Sequence, residues 1–360
     1  MQIIEFSPGT LRFVETVPDQ MPAGGFVWIY LERATLEASL PELQRAAQRL
    51  GGSSLLELHC ADLINAAHPS HYDYTSIYDL IIFRRLATRE DIPDPADKAV
   101  DGAIRHIRTH AVGFAVFDRL LISVHPNGCF TARSFIERYL SDAIHAEGLS
   151  AAARSRLPMS PADLMLRMVN VMVDSYLELR KQLSSQLDYW QAELLRPRSH
   201  FANWNALMTA RSELHTLEDL CEEQHDAMQE WLDTLREQPP SAMPQAERDG
   251  LVARSRDIIE HIERVVHHVR RLEQNAETVV QIHFSAQSNR TNDIMRTLTT
   301  LTAVFLPLNL IAGIFGMNFE FIPLLHAQGG FWWAIGSMAF IAAALVLVFW
   351  RKRYLARTGR

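Results

Sequence analysis

Apolar positions are spaced differently in different parts of this chain, and each spacing predicts a different kind of element. Over the first 150 residues they come in short runs closed by turn residues. "GFVWIYLE" (Gly25 to Glu32) and "SIYDLIIFRRLA" (Ser76 to Ala87) read as strands, and "VGFAVFDRLLISVHP" (Val112 to Pro126) as two strands around a tight Asp118–Arg119 turn. "LPELQRAAQRLGG" (Leu40 to Gly52) reads as a helix stopped by its glycines. From Ser160 the period becomes helical. Ser160 at the cap and Pro161 in the first turn open a helix that runs to Arg196, and a second helix runs from about Asn203 to Glu237, ahead of Pro239–Pro240.

A third helix starts near Pro244 and meets no breaker before Pro307. Ile258, Ile262, Val265, Val269, Leu272, Ala276 and Val279 alternate by fours and threes along it. That is a heptad seam, which offers a way for copies of the chain to associate. Beyond it, Leu298 to Phe315 and Phe331 to Trp350 carry no charge over 18 and 20 residues. As helices they rise about 27 and 30 Å, the thickness of a hydrocarbon core, so both are expected to cross a membrane.

The pattern partitions the chain. Residues 1–150 form a cytoplasmic mixed α/β domain, 151–243 an acidic helical hairpin and 244–297 a long stalk helix; 298–315 is transmembrane helix 1, 316–330 an external loop, 331–350 transmembrane helix 2 and 351–360 a basic cytoplasmic tail. The fold class expected is thus an α/β cytoplasmic domain followed by long helices and a two-helix C-terminal transmembrane hairpin.

Charge adds orientation. Arg290 and Arg296 precede the first span and Arg351, Lys352, Arg353 and Arg357 follow the second, while the loop between carries only Glu320 and His326. The positive-inside rule then places both termini in the cytoplasm. "MQIIEFSPGTLRFVE" lacks the basic start and apolar stretch of a signal peptide, so the N-terminal part is expected to stay where it is made. Three widely spaced cysteines, Cys60, Cys129 and Cys221, make no disulfide framework or CxxC pair and suit a reducing compartment. The second long helix carries Glu213, Glu218, Asp219, Glu222, Glu223, Asp226, Glu230, Asp233 and Glu237 against Arg211 and Arg236, and reads as an acidic rod. The net charge of −7 fits a domain that handles cations but also fits many other proteins.

Two helices per chain cannot enclose a hydrated path, so transport requires several chains around an axis. Ala303, Ala312, Gly313 and Gly316 permit close helix approach. Thr299, Thr300, Thr302 and Asn309 are costly facing lipid; the threonines can bond their own helix, but Asn309 beside Pro307 is harder to satisfy that way.

The segment "SNRTNDIMRTLTTLTAVFLPLNLIAGIFGMNFEFIP" (Ser288 to Pro323) resembles the signature region of the CorA family of divalent cation channels, defined by Gly-Met-Asn at the outer end of the first span; here these are Gly316, Met317 and Asn318. The likeness in element order extends over essentially the whole chain. It implies a funnel-shaped homopentamer in a bacterial-type inner membrane, with lipid and other copies of itself as its partners and no nucleic acid. Mg²⁺ is the cation implied, transported and also regulatory, with Co²⁺ or Ni²⁺ as further cargo and no organic cofactor. By the resemblance the pore lining falls on Asn292, Met295, Leu298, Leu306, Asn309 and Asn318, with Met295 and Leu298 as the apolar constriction. A ring of Asn318 carbonyls would meet the ion through its hydration shell, and Glu320 would raise the local cation concentration. Leu306 and Asn309 stand where many members have methionine and threonine, and Leu324 follows Pro323 where many carry a carboxylate, so the loop should attract cations less strongly. "RSRDIIEHIERV" resembles the stalk segment with an acidic metal-sensing site, which places that role on Asp257 opposite Asp91, Asp94 or Asp97 of a neighbouring copy.

Rival readings are a zinc transporter of the related branch, whose loop commonly reads Gly-Gly-Ile-Pro where this chain has "FEFIP", and an anchored coiled-coil scaffold without transport. His68 with His71, His106 with His110, and His261, His267 and His268 have ligand-like spacings but read as surface or packing histidines. No phosphate-cradling glycine loop or nucleophile elbow is present, which argues against an enzyme and for passive transport driven by potential and gradient.

Overall fold

The computed structural model describes residues 1–8, 10–87, 107–129, 136–137, 157–194, 204–239, 243–317 and 329–351. Asn318, Glu320, His326, His106, Asp91, Asp94 and Asp97 lie outside them, as do the tail residues Lys352, Arg353 and Arg357. The chain forms two compact units, Met1–Glu277 and Thr278–Arg360.

The first unit is built on a seven-stranded sheet of β1 (Gln2–Ser7), β2 (Thr10–Val14), β3 (Phe26–Glu32), β4 (His71–Tyr74), β5 (Tyr78–Leu86), β6 (Thr109–Phe117) and β7 (Leu120–His125), in the order β2-β1-β3-β7-β6-β5-β4. β3 and β7 pair in parallel and all other neighbours are antiparallel. One face packs on α1 (Arg33–Ala46) and α2 (Glu57–Ile64) through Val27, Ile29, Leu43, Leu63, Ile82 and Ile122. The other face meets two long helices, α3 (Pro161–Leu194) and α4 (Trp204–Glu237). Burial on both faces explains why β3, β6 and β7 read as continuous apolar runs with no alternation.

The expected strands at β3, β5, β6 and β7 are present. The helix expected from Leu40 begins at Arg33 and holds Pro41 in its interior. Pro41 invites a reading as a first-turn residue, and Leu36 is the one buried side chain ahead of it, so the first two turns show no period. The helix ends where expected: a π-turn over Ala47–Gly51 leads to Gly52 at φ 85°, a left-handed position that glycine adopts without a Cβ clash. The β1–β2 hairpin, α2 and β4 have no counterpart in the sequence reading. β2 and β4 are short edge strands, and β2 buries none of its five side chains, so neither carries a hydrophobic period.

Ser160 Oγ accepts the amide N–H of Asp163 at 3.4 Å and so caps α3 as expected. α5 (Gln245–Phe315) is one helix of 71 residues that passes from the first unit into the second. Contacts of charged and histidine side chains mark the packing of its first half. Asp163 with Arg254 (2.8 Å) and Asp174 with His261 (3.4 Å) run along α3 and α5 in the same direction, whereas Glu218 and Glu222 with Arg270, and His225 with Glu263, set α4 antiparallel to α5.

Two expectations are corrected here. The heptad seam is used within the chain: Ile258, Ile262, Val265 and Val269 are each 1% exposed with no second copy present, because α5 turns this stripe toward its own α3 and α4. A heptad reports that a helix face is covered, not whose helix covers it. The acidic rod is also partly neutralised. Glu213 Oε2 accepts the amide of Ile107 at 2.6 Å, Glu223 Oε2 that of Ser70 at 3.2 Å, and Glu218 and Glu222 hold Arg270, so these carboxylates fasten α4 to the sheet and to α5.

The second unit holds the rest of α5 and α6 (Gly330–Arg351). Both have windows long and apolar enough to cross a membrane, and these windows are almost wholly exposed in the single chain.

Candidate ion path

In α5, hydrogen bonding separates the polar residues of the apolar segment. Thr299, Thr300 and Thr302 each donate to the carbonyl four residues back, at 2.8 Å, so their hydroxyls need neither water nor a second chain. Asn309 has no such bond. Its amide is exposed and finds no partner among the described residues, which makes it the polar group in this segment that lipid would penalise most.

Asn292, Met295, Leu298, Leu306 and Asn309 fall within an arc of about 120° when projected at 100° per residue, one face of α5. Met295, Leu298 and Leu306 on that face are 60%, 58% and 68% exposed, a row of apolar side chains awaiting lipid or another copy. At the end of the helix the amide of Gly316 bonds Ala312 O at 2.9 Å and that of Met317 bonds Ile314 O at 3.3 Å, a tightened last turn. A Cβ on Gly316 would lie 3.1 Å from Ala312 O, so a glycine at this position lets the turn close.

Asp257 stands on the stalk part of α5, exposed, with Oδ1 3.6 Å from His261 Nε2. The other ring nitrogen of His261 lies 3.4 Å from Asp174 Oδ1 without a hydrogen bond. The structure thus sets His261 between two carboxylates. Asp174 was not singled out in the sequence, although its spacing of eleven residues from Asp163, three turns, places it on the face of α3 that meets α5. Among the described residues no three His, Cys, Asp or Glu side chains converge as a metal-holding group.

A short polar route joins this part of the stalk to the sheet edge. Ser255, fully buried two residues before Asp257, accepts Trp231 Nε1–H of α4 at 3.1 Å; the Trp231 ring meets Tyr72 of β4 edge-on at 6.2 Å; Tyr72 OH donates to Asp79 of β5 at 3.0 Å. Burial raises the Asp79 carboxyl to about 6. His59 of α2 joins Tyr78 OH (2.8 Å) and Asp73 (3.0 Å), and the bond from His59 holds the Asp73 carboxyl below its usual range.

A sheet with helices on both faces, joined through one continuous helix to a pair of C-terminal helices long and apolar enough to cross a membrane, with Gly316 and Met317 closing the first of them, defines the class of this protein. Comparison with known proteins names the class more closely. The sequence model of the CorA-like Mg²⁺ transporter family matches residues 23–353, and the chain belongs to that family. The cobalt/magnesium transport protein CorA of Thermotoga maritima is 28% identical over 199 residues, 53% of this chain and 52% of that one. The magnesium transport protein CorA of Haemophilus influenzae is 37% identical over 103 residues, 28% of this chain and 32% of that one. The matched part thus spans about half, or less, of the length of these curated relatives. The structure of the CorA magnesium transporter from Methanocaldococcus jannaschii superposes with a TM-score of 0.70, covering 100% of this chain and 98% of that chain at 17% identity, which establishes a shared full-length fold.

Proposed function

We propose that this protein is a passive channel for hydrated divalent cations, Mg²⁺ foremost and Co²⁺ as further cargo, entering the cytoplasm through a homo-oligomer, by family a pentamer, in a bacterial-type inner membrane. The observation that carries the reading is the face of α5: an exposed amide at Asn309 without a partner among the described residues, on the same arc as exposed Met295, Leu298 and Leu306. Those side chains need an assembled axis. Around it Met295 and Leu298 would form a ring that closes the path by excluding water, and Asn292 and Asn309 would wet it.

At the outer mouth Asn318 would offer amide oxygens to the hydration shell of an ion that sheds water reluctantly, with Gly316 and Met317 shaping the turn and Glu320 drawing cations in. Both termini are cytoplasmic in this reading. Asp257 is the regulatory contact: a cation between it and a neighbouring copy would offset carboxylate repulsion and favour the closed arrangement, and its loss would release it. Asp174 and His261 lie on the same surface and would tune that site. The family's chemistry is transport, so no catalytic residue is assigned.

The test is ion influx into proteoliposomes loaded with an indicator, with Mg²⁺, Co²⁺ and Zn²⁺ in parallel. Saturable Mg²⁺ influx is expected; influx of Zn²⁺ with none of Mg²⁺ would place the protein with the zinc branch, and no influx from inserted oligomers would leave the anchored scaffold.

A further inference from the structure

Where α1 leaves the sheet, beside the start of β6 and the end of β7, a cavity of about 520 Å³ opens with Arg33, Glu37, Ile64, His110 and Asn127 in its wall. Arg33 sits here in an unusual electrostatic position. Its Nε donates to Leu63 O at 3.0 Å and its Nη2 to Ala111 O at 2.8 Å, both neutral acceptors, and Nη1 has no protein acceptor among the described residues. Burial and the neighbouring positive Arg84 both lower its pKa, so its charge is poorly compensated. Arg84 gives no relief, because its guanidinium is spent on Thr109 Oγ1 and on the carbonyls of Ala66, His68 and Thr109. Two guanidinium charges therefore sit together, held by neutral oxygens and by no carboxylate among the described residues, in a chain of net charge −7. A guanidinium drawn partly out of water and held by neutral acceptors alone keeps charge that an anion entering the cavity can compensate.

The rest of the wall states what that partner would be. Asn127 Oδ1 accepts the Ala34 N–H at 3.0 Å, so this amide at the start of the 14-residue α1 is already capped, and the Asn127 side-chain amide is left in the cavity wall. His110 adds an imidazole, and Ile64, Ala66 and Pro126 add an apolar side. The volume exceeds what a bare oxyanion fills and lies in the range of metabolite sites. Glu37, in the same wall and not paired to Arg33, limits the negative charge that can enter. We propose that this cavity binds a small phosphate monoester, its phosphoryl group on the Arg33 guanidinium with Asn127 and His110 beside it and its organic part against Ile64 and Pro126. The site lies in the first unit and stands whether or not the chain conducts ions.

The test is calorimetric titration of the full-length protein in detergent, free of divalent ions, with glycerol 3-phosphate and inorganic phosphate as probes and chloride at matched ionic strength as control. Glycerol 3-phosphate is expected to bind saturably and more tightly than inorganic phosphate. Arg33→Gln should weaken it about tenfold or more, the loss of a charge-assisted bond. Glu37→Gln, an exposed position that should fold normally, should tighten it about threefold, by removing one like charge at surface dielectric. Absence of saturable binding, equal affinity for the two probes, or binding that Glu37→Gln leaves unchanged would each overturn the proposal.

Discussion

Replacing Ile262 by alanine separates a seam used inside the chain from one used between chains. Ile262 is 1% exposed and lies midway along the α5 stripe that faces α3 and α4. Truncation removes three carbons from a closed site. At about 0.8 kcal/mol each the transfer term is about 2.4 kcal/mol, and the unfilled space brings the loss to about 3–4 kcal/mol. For a unit of this size about 1 kcal/mol moves the midpoint by about 2–4 °C, so a fall on the order of 10 °C is expected. Cys60, Cys129 and Cys221 are all buried and all lie in the first unit, so a thiol-reactive dye added during a thermal ramp reports the melting of that unit in the full chain. Light scattering of the same sample should show an unchanged oligomer. A variant that keeps the wild-type thiol melting curve but dissociates would refute the reasoning, because it would put the seam between copies.

The Asp79 carboxyl, raised by burial to about 6 from 3.8, binds its proton more tightly folded than unfolded; stability on this account is greatest below about pH 4 and falls as pH rises through 6, and Asp79→Asn should remove up to about 3 kcal/mol of that slope in denaturation curves at pH 4 and 7. His125 has the opposite sign: burial holds it down to about 3, so the unfolded chain takes up its proton first and stability is lost from about pH 6.5 downward, a slope that His125→Gln should flatten. Tyr176 OH donates to Arg84 O at 3.1 Å and accepts from Gln224 Nε2 at 2.7 Å inside the core, so Tyr176→Phe should cost about 1–2 kcal/mol in urea titrations. Asn309→Leu should leave oligomer and melting unchanged and lower Mg²⁺ influx severalfold, since it replaces the unpartnered amide of the proposed path with an apolar side chain; unchanged influx would remove Asn309 from that path.

What the sequence made legible follows from how strongly each element depends on local pattern. β3, β5, β6 and β7 each carry an unbroken apolar run, and α3 and α4 begin or end at Ser160–Pro161 and Pro239, so their positions are written in neighbouring residues. α5 is legible from its start as far as Pro307 because no breaker comes earlier, and the helix then carries Pro307 inside its apolar segment to Phe315. The edge strands β2 and β4 owe their place to partners and not to their own side chains: Tyr72 is set by β5, α4 and Trp231. The seam from Ile258 to Ala276 shows the same limit. Its period tells that a face is buried, while the covering helices, α3 and α4, come from up to about a hundred residues earlier. At the candidate site, Asn292 to Asn309 came from the resemblance to the CorA family and not from a pattern in the chain, while the lack of a partner for Asn309 among the described residues and the presence of one for each threonine are facts of three-dimensional hydrogen bonding. Asp174 was missed because a single carboxylate on a mixed helix carries no local sign of the histidine it approaches on α5.

The central claim is tested most directly by comparing Mg²⁺ influx through the wild-type chain and Asn318→Ala, both reconstituted as verified oligomers in indicator-loaded vesicles under an inside-negative potential. The account predicts influx in the wild type, driven by about 4.6 kcal/mol per divalent ion at 100 mV, and its loss in the variant with oligomer and insertion unchanged. Equal influx through both proteins would contradict it.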